Sequence, residues 1–247
     1  MKTVLVTGAN KSIGLETARQ LLQLGYYVFL GSRNLEKGRL AVDQLKSEGL
    51  DQVEAIEIDV NNATSIKAAR ETLGEKTKVL DVLINNAGIL GRMDQQQTSI
   101  QAETSVFREV FETNFFGVIE VTQAFIDLLR QSSQPRIVNV TSGLGSLTLH
   151  SDPSWSFYTV KPAAYVSSKA ALNAYTILLT YDLRDTPFKV NAVDPGYTET
   201  DFNNNMGPGT VPDAAARVVK AATLDADGPN GQFFSDENNS VTGISPW

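Results

Sequence analysis

The sequence predicts an α/β fold, a doubly wound parallel sheet flanked by helices on both faces, on three observations. Short apolar runs alternate with longer amphipathic stretches along the whole chain, the pattern of strands joined by crossover helices. The run VLDVLINNAG (79–88) reads as a strand buried on both faces, as helices on each side of a sheet require. Unusual residues stand at the ends of six successive strands: TGANKSIG, SRN, Asp59, NNAG, TSG and DPGYTET. In a parallel sheet those ends share one edge, where ligands bind.

The elements follow in order. TVLVTG (3–8) is a strand closed by glycine, and residues 13–24 form a helix with Ile13, Ala18, Leu21 and Leu22 on its apolar side. YYVFLGS (26–32) is the second strand and 35–46 the second helix. VEAIEID (53–59) is the third strand, followed by a helix over 64–73. After the fourth strand come two helical stretches, 104–112 and 116–130, then the strand RIVNVTS (136–142). Residues 162–184 form a long helix with Pro162 in the first turn, where its missing donor is harmless. FKVNAVDPG (188–196) is the sixth strand, and the polar, glycine-rich residues 197–212 form a mobile loop. A helix over 214–223 and a strand in GQFFSD (231–236) complete the chain.

A chain of 247 residues suits one large α/β domain. No repeat, low-complexity segment or linker divides it, so residues 1–247 are read as a single domain. The formal charge of −7 argues against a nucleic-acid partner, whose phosphates require a basic footprint. The absence of cysteine removes disulfides, thiolate zinc sites and a cysteine nucleophile, and the single histidine, His150, leaves no metal site to expect. A hydrolase triad would need His150, yet no GxSxG turn presents a serine; packing or surface exposure is the expected role. No apolar run approaches the roughly 20 residues that span a bilayer. The opening MKTVLVTGAN runs directly into a strand, so the expected location is cytoplasmic.

TGANKSIG (7–14) joins a strand to a helix. Glycine there lets backbone approach a pyrophosphate, and a helix amino end offers free N–H groups and partial positive charge. The turn is neither a P-loop nor GxGxxG. The second strand ends in Gly31-Ser32-Arg33, without the carboxylate that would bind a ribose 2′-hydroxyl. Arg33 suits a 2′-phosphate, with Lys11 adding charge, so NADP(H) is expected over NAD(H). Tyr165 and Lys169 lie one helical turn apart. A nearby ammonium favours the phenolate and is expected to lower the tyrosine pKa, fitting it for proton transfer. Tyr158 and Lys161 are a poorer pair because they precede the helix.

In this order, TGANKSIG, NNAG (85–88), Asn114, Ser142, YVSSK (165–169) and Pro195-Gly196 resemble the short-chain dehydrogenase/reductase family, in its compact, carbonyl-reductase-like form, over essentially the whole chain. The resemblance implies a Rossmann-type fold, residues 1–247 as a single dinucleotide-binding and catalytic domain, and NADP(H)-linked reduction of a small carbonyl compound to an alcohol, or the reverse. It implies that Tyr165 is the acid or base, that Lys169 lowers its pKa and holds the nicotinamide ribose, that Ser142 binds the substrate oxygen, and that Asn114 holds a relay water at a helix kink. Around the cofactor it places Gly8, Asn10, Lys11, Ser12, Ile13 and Gly14 at the turn, Arg33 at the 2′-phosphate, and Asp59 and Val60 at the adenine. Asn86, Ala87 and Gly88 would line its path, with Asn114, Tyr165 and Lys169 beside it and Pro195, Gly196 and Thr198 at the nicotinamide end. A homodimer or homotetramer is usual in the family, with a monomer left open here. Rival readings are a C=C reductase, dehydratase or epimerase on the same scaffold, and a cofactor sensor without turnover.

Two departures stand out. Ser12 occupies a position where the family usually has glycine, so its side chain crowds the pyrophosphate, demands a negative φ, or bonds to the phosphate instead. Ser142 and Tyr165 are 23 positions apart (165 − 142), around ten more than family members commonly show. The added residues, among them Leu147, Leu149, His150, Trp155 and Phe157, form a pocket wall, change how subunits pair, or make a surface loop whose aromatics pack down.

Overall fold

The computed structural model describes residues 1–91 and 98–247. Its central element is a parallel sheet of β1 (Thr3–Val6), β2 (Tyr27–Ser32), β3 (Val53–Glu57), β4 (Val82–Asn85), β5 (Arg136–Val140), β6 (Lys189–Val193) and β7 (Phe233–Phe234). Successive side chains of a strand point to opposite faces, and here both faces are apolar. Val4, Val6, Val28, Leu30, Val82 and Ile84 enter one core, with Ala18 and Leu21 of α1 (Ser12–Gln23), Val42 of α2 (Leu35–Ser47) and Val218 of α8 (Val211–Ala222). Their strand neighbours Leu5, Phe29, Leu83 and Ile137 enter the other, with Leu73 of α3 (Ala63–Lys76) and Phe125 of α5 (Gly117–Leu129). The doubly wound expectation is met.

The strand order is β3-β2-β1-β4-β5-β6-β7, with every pair parallel. The chain therefore reverses its winding between β1 and β4, and a crevice opens at their carboxyl ends. The parallel direction of the strands brings all six expected strand ends to that edge.

Four local findings differ from the expectation. The two helical stretches after β4 are one continuous rod: α4 (Thr104–Phe111) passes through a π-helical turn, Glu112–Phe116, into α5. A π turn keeps the apolar faces on either side in register while rotating one residue out of line. The segment between β5 and the long helix α7 (Ala163–Asp182) contains a 3₁₀ turn, Gly143–Gly145, and a short helix, α6 (Leu147–His150). Serine hydroxyls begin both: Ser142 accepts from Leu144 N–H and Ser146 from Leu149 N–H. Pro162 lies at the N-cap of α7 rather than inside it, and the loop after β6 carries a 3₁₀ turn, Asp201–Asn203. No helix of the described residues is long and apolar enough to cross a membrane.

Candidate active site

The floor of the crevice is a clasp between the ends of β1 and β4. Thr7 Oγ1 accepts from the N–H groups of Asn86 and Ala87 at 3.0 and 3.1 Å. Asn86 Nδ2 donates in return to the carbonyls of Thr7 and Gly8 at 2.8 and 3.2 Å. Asn86 thus secures the turn with its amide. Gly14 must lack a side chain, because a Cβ there would stand 2.6 Å from both Asn86 Nδ2 and Gly8 O. Thr7 was not expected among the site residues. Its place beside Gly8 in the strand-end turn was the available signal.

Ser12 begins α1 at φ 53°, the left-handed region that glycine enters freely. The negative φ expected of a residue with a Cβ is not adopted, and the backbone of a glycine turn is kept. Ser12→Gly is expected to raise the stability of the cofactor-free protein by up to about 1 kcal/mol, the left-handed cost less the added freedom of the unfolded chain. Thermal unfolding checks this, and an unchanged or lower Tm would show that the turn holds no such strain. No side chain caps α1, whereas Asn34, Asn62 and Thr210 cap α2, α3 and α8. An uncapped amino end leaves free N–H groups and partial positive charge that can receive an anion.

Arg33 is exposed just past the end of β2. Lys11 pairs instead with Asp201, on the loop after β6. Asp59 is half-buried past the end of β3, its carboxylate accepting from Asn61 N–H at 3.0 Å. Val60 packs its carbonyl against Gly117 so closely that a Cβ there would lie 2.6 Å away.

Asn114 sits in the π-helical turn, fully buried. Its Oδ1 accepts from Ile89 N–H at 2.8 Å, and its Nδ2 donates to Ile89 O at 2.8 Å and Ser168 Oγ at 3.1 Å. Ser168 in turn donates to the Tyr165 carbonyl at 2.8 Å. The helix irregularity expected at Asn114 is present, and it ties the chain after β4 to α7.

Tyr165 and Lys169 are buried on one face of α7. Burial pushes the Tyr165 phenol pKa above its usual value, outweighing the nearby Ser142 hydroxyl, which favours the phenolate. Lys169 was expected to lower that pKa. Instead its Nζ donates to the Val140 carbonyl at 2.8 Å and lies 5.8 Å from the Tyr165 ring centre. Burial brings the lysine itself down to about 8, against the opposing charge of Asp194. Asp194 is a second site residue that was not expected: buried, it accepts from Ser235 Oγ at 2.7 Å and Gly196 N–H at 2.9 Å.

After β6, the Pro195 carbonyl accepts from Arg217 at 2.6 Å, and Gly196 takes φ 83°. Thr198 is buried and donates to Gly196 O at 3.1 Å. Phe202 lies edge-on to Tyr165, ring centres 6.0 Å apart, and its neighbour Asp201 holds Lys11, so this loop reaches both ends of the crevice. The inserted segment joins the same region: Trp155, Phe157 and Tyr197 form an edge-to-face row. Tyr158 and Lys161 lie before α7, the ammonium 4.3 Å from the ring centre, away from the buried pair on α7.

The arrangement gathers four chemical groups, two hydroxyls, an ammonium and a carboxamide, beside an uncapped helix end. The family model for short chain dehydrogenases matches residues 2–210. A short-chain dehydrogenase of Penicillium roqueforti is 38% identical over 245 residues, covering 96% of this chain and 95% of its own. A (+)-neomenthol dehydrogenase of Capsicum annuum is 33% identical over 298 residues, covering 93% and 94%. Among solved structures, an NADPH-bound carbonyl reductase from chicken fatty liver superposes with a TM-score of 0.85 at 27% identity, covering 100% of this chain and 99% of its own. Salutaridine reductase from Papaver somniferum gives 0.83 at 29% identity, covering 94% and 99%. The ordered motifs, the switch-point crevice and these likenesses agree, and the chain belongs to the short-chain dehydrogenase/reductase family of oxidoreductases.

Proposed function

We propose that this chain is an NADPH-dependent reductase that converts a ketone or aldehyde to the alcohol, reversibly with NADP+, with Tyr165 as the proton donor. The observation that carries the reading is the burial of the Tyr165 phenol and the Lys169 ammonium on one face of α7, with the Ser142 hydroxyl near the phenol. Two hydroxyls converging on one point are suited to a carbonyl oxygen that becomes an alkoxide. The residues present fit the cofactor: an uncapped helix end for its pyrophosphate, and an exposed arginine without a carboxylate at the end of β2 for its 2′-phosphate. Bound there, the cofactor would supply the hydride to the carbonyl carbon. Ser142 would hold the substrate oxygen while Tyr165 passes its proton to it, so the carbonyl gains one hydride and one proton. The Lys169 ammonium would favour the phenolate left behind.

The test is oxidation of NADPH and NADH with para-nitrobenzaldehyde, menthone, cyclohexanone and cyclohexenone, with product analysis. Reduction at C=O with NADPH preferred is expected. Saturation of cyclohexenone at C=C would point to the rival chemistry, and tight NADPH binding with no turnover to a sensor. Arg33→Asp is expected to shift the kcat/KM ratio toward NADH by about 10-fold or more, because it removes the bidentate phosphate donor and adds a carboxylate for the ribose. Unchanged selectivity would remove Arg33 from the site.

A further inference from the structure

His150, the only histidine in the chain, ends α6 and uses both ring nitrogens. Nε2 lies 2.8 Å from the Leu144 carbonyl oxygen, and Nδ1 lies 2.8 Å from Lys161 Nζ. A carbonyl only accepts and an ammonium only donates. The ring is therefore held neutral, with its proton on Nε2 donated to Leu144 and its Nδ1 lone pair accepting from Lys161. Lys161 also donates to the His150 carbonyl at 3.0 Å and lies over the Tyr158 ring.

The ring connects two parts of the site. On one side, Leu144 N–H donates to Ser142 Oγ at 3.2 Å. On the other, the imidazole meets Trp155 edge-on at 5.1 Å, Trp155 meets Phe157 at 5.6 Å, and Phe157 meets Tyr197 at 6.5 Å. We propose that His150 is a positioning residue for substrate binding: neutral, it ties the Trp155–Phe157–Tyr197 row to the Ser142 turn, and protonation releases the row. The proposal rests on the reading of Ser142 as the partner of the substrate oxygen, and it makes the row one wall of a pocket for an apolar or aromatic carbonyl compound.

Protonation can occur only at Nδ1, which faces the Lys161 ammonium. Two cations in hydrogen-bond contact repel, and Lys161 has to leave. The other groups around the ring do not offset this. Asp152 gives its carboxylate to Ser154, accepting from its N–H and hydroxyl at 2.9 and 2.7 Å. The Leu144 turn presents a carbonyl, and Thr148 of α6 is bonded to the Trp247 main-chain oxygen. Burial first, and then the Lys161 charge, hold the imidazole below its usual range, against the Leu144 bond. A folded value below the unfolded one means that the tied arrangement is fully present above pH about 6.5 and is lost as pH falls through the lower folded value.

A single histidine gives one set of imidazole proton resonances, so its titration reads directly by NMR. In a Trp247→Phe background, Trp155 fluorescence reports the row. The two midpoints are expected to coincide, below pH about 6.5. With NADPH and para-nitrobenzaldehyde, the aldehyde KM is expected to rise about 5-fold between pH about 7.5 and about 5.5, with a much smaller change in kcat. His150→Gln keeps a donor toward Leu144 and cannot charge, so its KM should match the wild type at the higher pH and stay flat. His150→Phe should show a raised KM at both. Separate midpoints, or a KM that neither substitution alters, would overturn the proposal. Absence of turnover by the wild type counts against the carbonyl reading alone, and the proposal then stands or falls on the two midpoints.

Discussion

Tyr165→Phe is expected to lower kcat at least about 100-fold while NADPH still binds, because the substitution removes one oxygen and almost no volume. The phenol lies near the Ser142 hydroxyl and can deliver a proton to the oxygen that Ser142 would hold. Burial holds its proton firmly in the cofactor-free protein. That state suits a donor in reduction, whereas oxidation of an alcohol needs the phenolate. The alcohol-oxidising direction is therefore expected to gain with rising pH in the wild type and to lose that gain in the variant. Steady-state kinetics in both directions, with NADPH binding followed by fluorescence, checks the claim. Turnover near the wild-type rate would remove Tyr165 from the chemistry.

Lys169→Met is expected to abolish most activity, by about 100-fold or more, and at the same time to stabilise the cofactor-free protein. The ammonium is buried, and its pKa falls to about 8. At neutral pH it is charged in both folded and unfolded chains, so folding carries a desolvation cost on the order of 3 kcal/mol. Methionine removes that cost but leaves the Val140 carbonyl without its donor, a loss of about 1 kcal/mol or more. A Tm higher by a few degrees is the net expectation. The pH dependence carries the sign. A folded pKa below the unfolded one makes wild-type stability rise as pH climbs from about 8 toward about 10, and the variant should lack that rise. A lowered Tm, with the rise retained, would show that burial of this ammonium costs nothing.

Much of this was legible in the sequence because the signals are local. Strands covered on both faces are nearly continuous apolar runs, and crossover helices show helical spacing, so element type and order followed from residues a few positions apart. The strand-end motifs were legible for the same reason, since parallel strands place their carboxyl ends on one edge. The continuous rod through Glu112–Phe116 was not, because a π turn differs from a short break only in hydrogen bonding. Nor was α6, a single turn begun by Ser146 and held by the bond from Thr148 to Trp247, a residue 99 positions away.

The order of strands and helices, the carriers of the candidate chemistry and the missing carboxylate after β2 were settled by the amino-acid sequence, since each depends on residue type and short spacing. What the side chains do there was decided by tertiary packing. Lys169 turns to the Val140 carbonyl rather than the phenol, Lys11 reaches Asp201 across the crevice, and His150 joins the Ser142 turn to an aromatic row. These are partnerships between distant segments, and burial, which sets the cost of each unpaired charge or donor, exists only once the chain has folded.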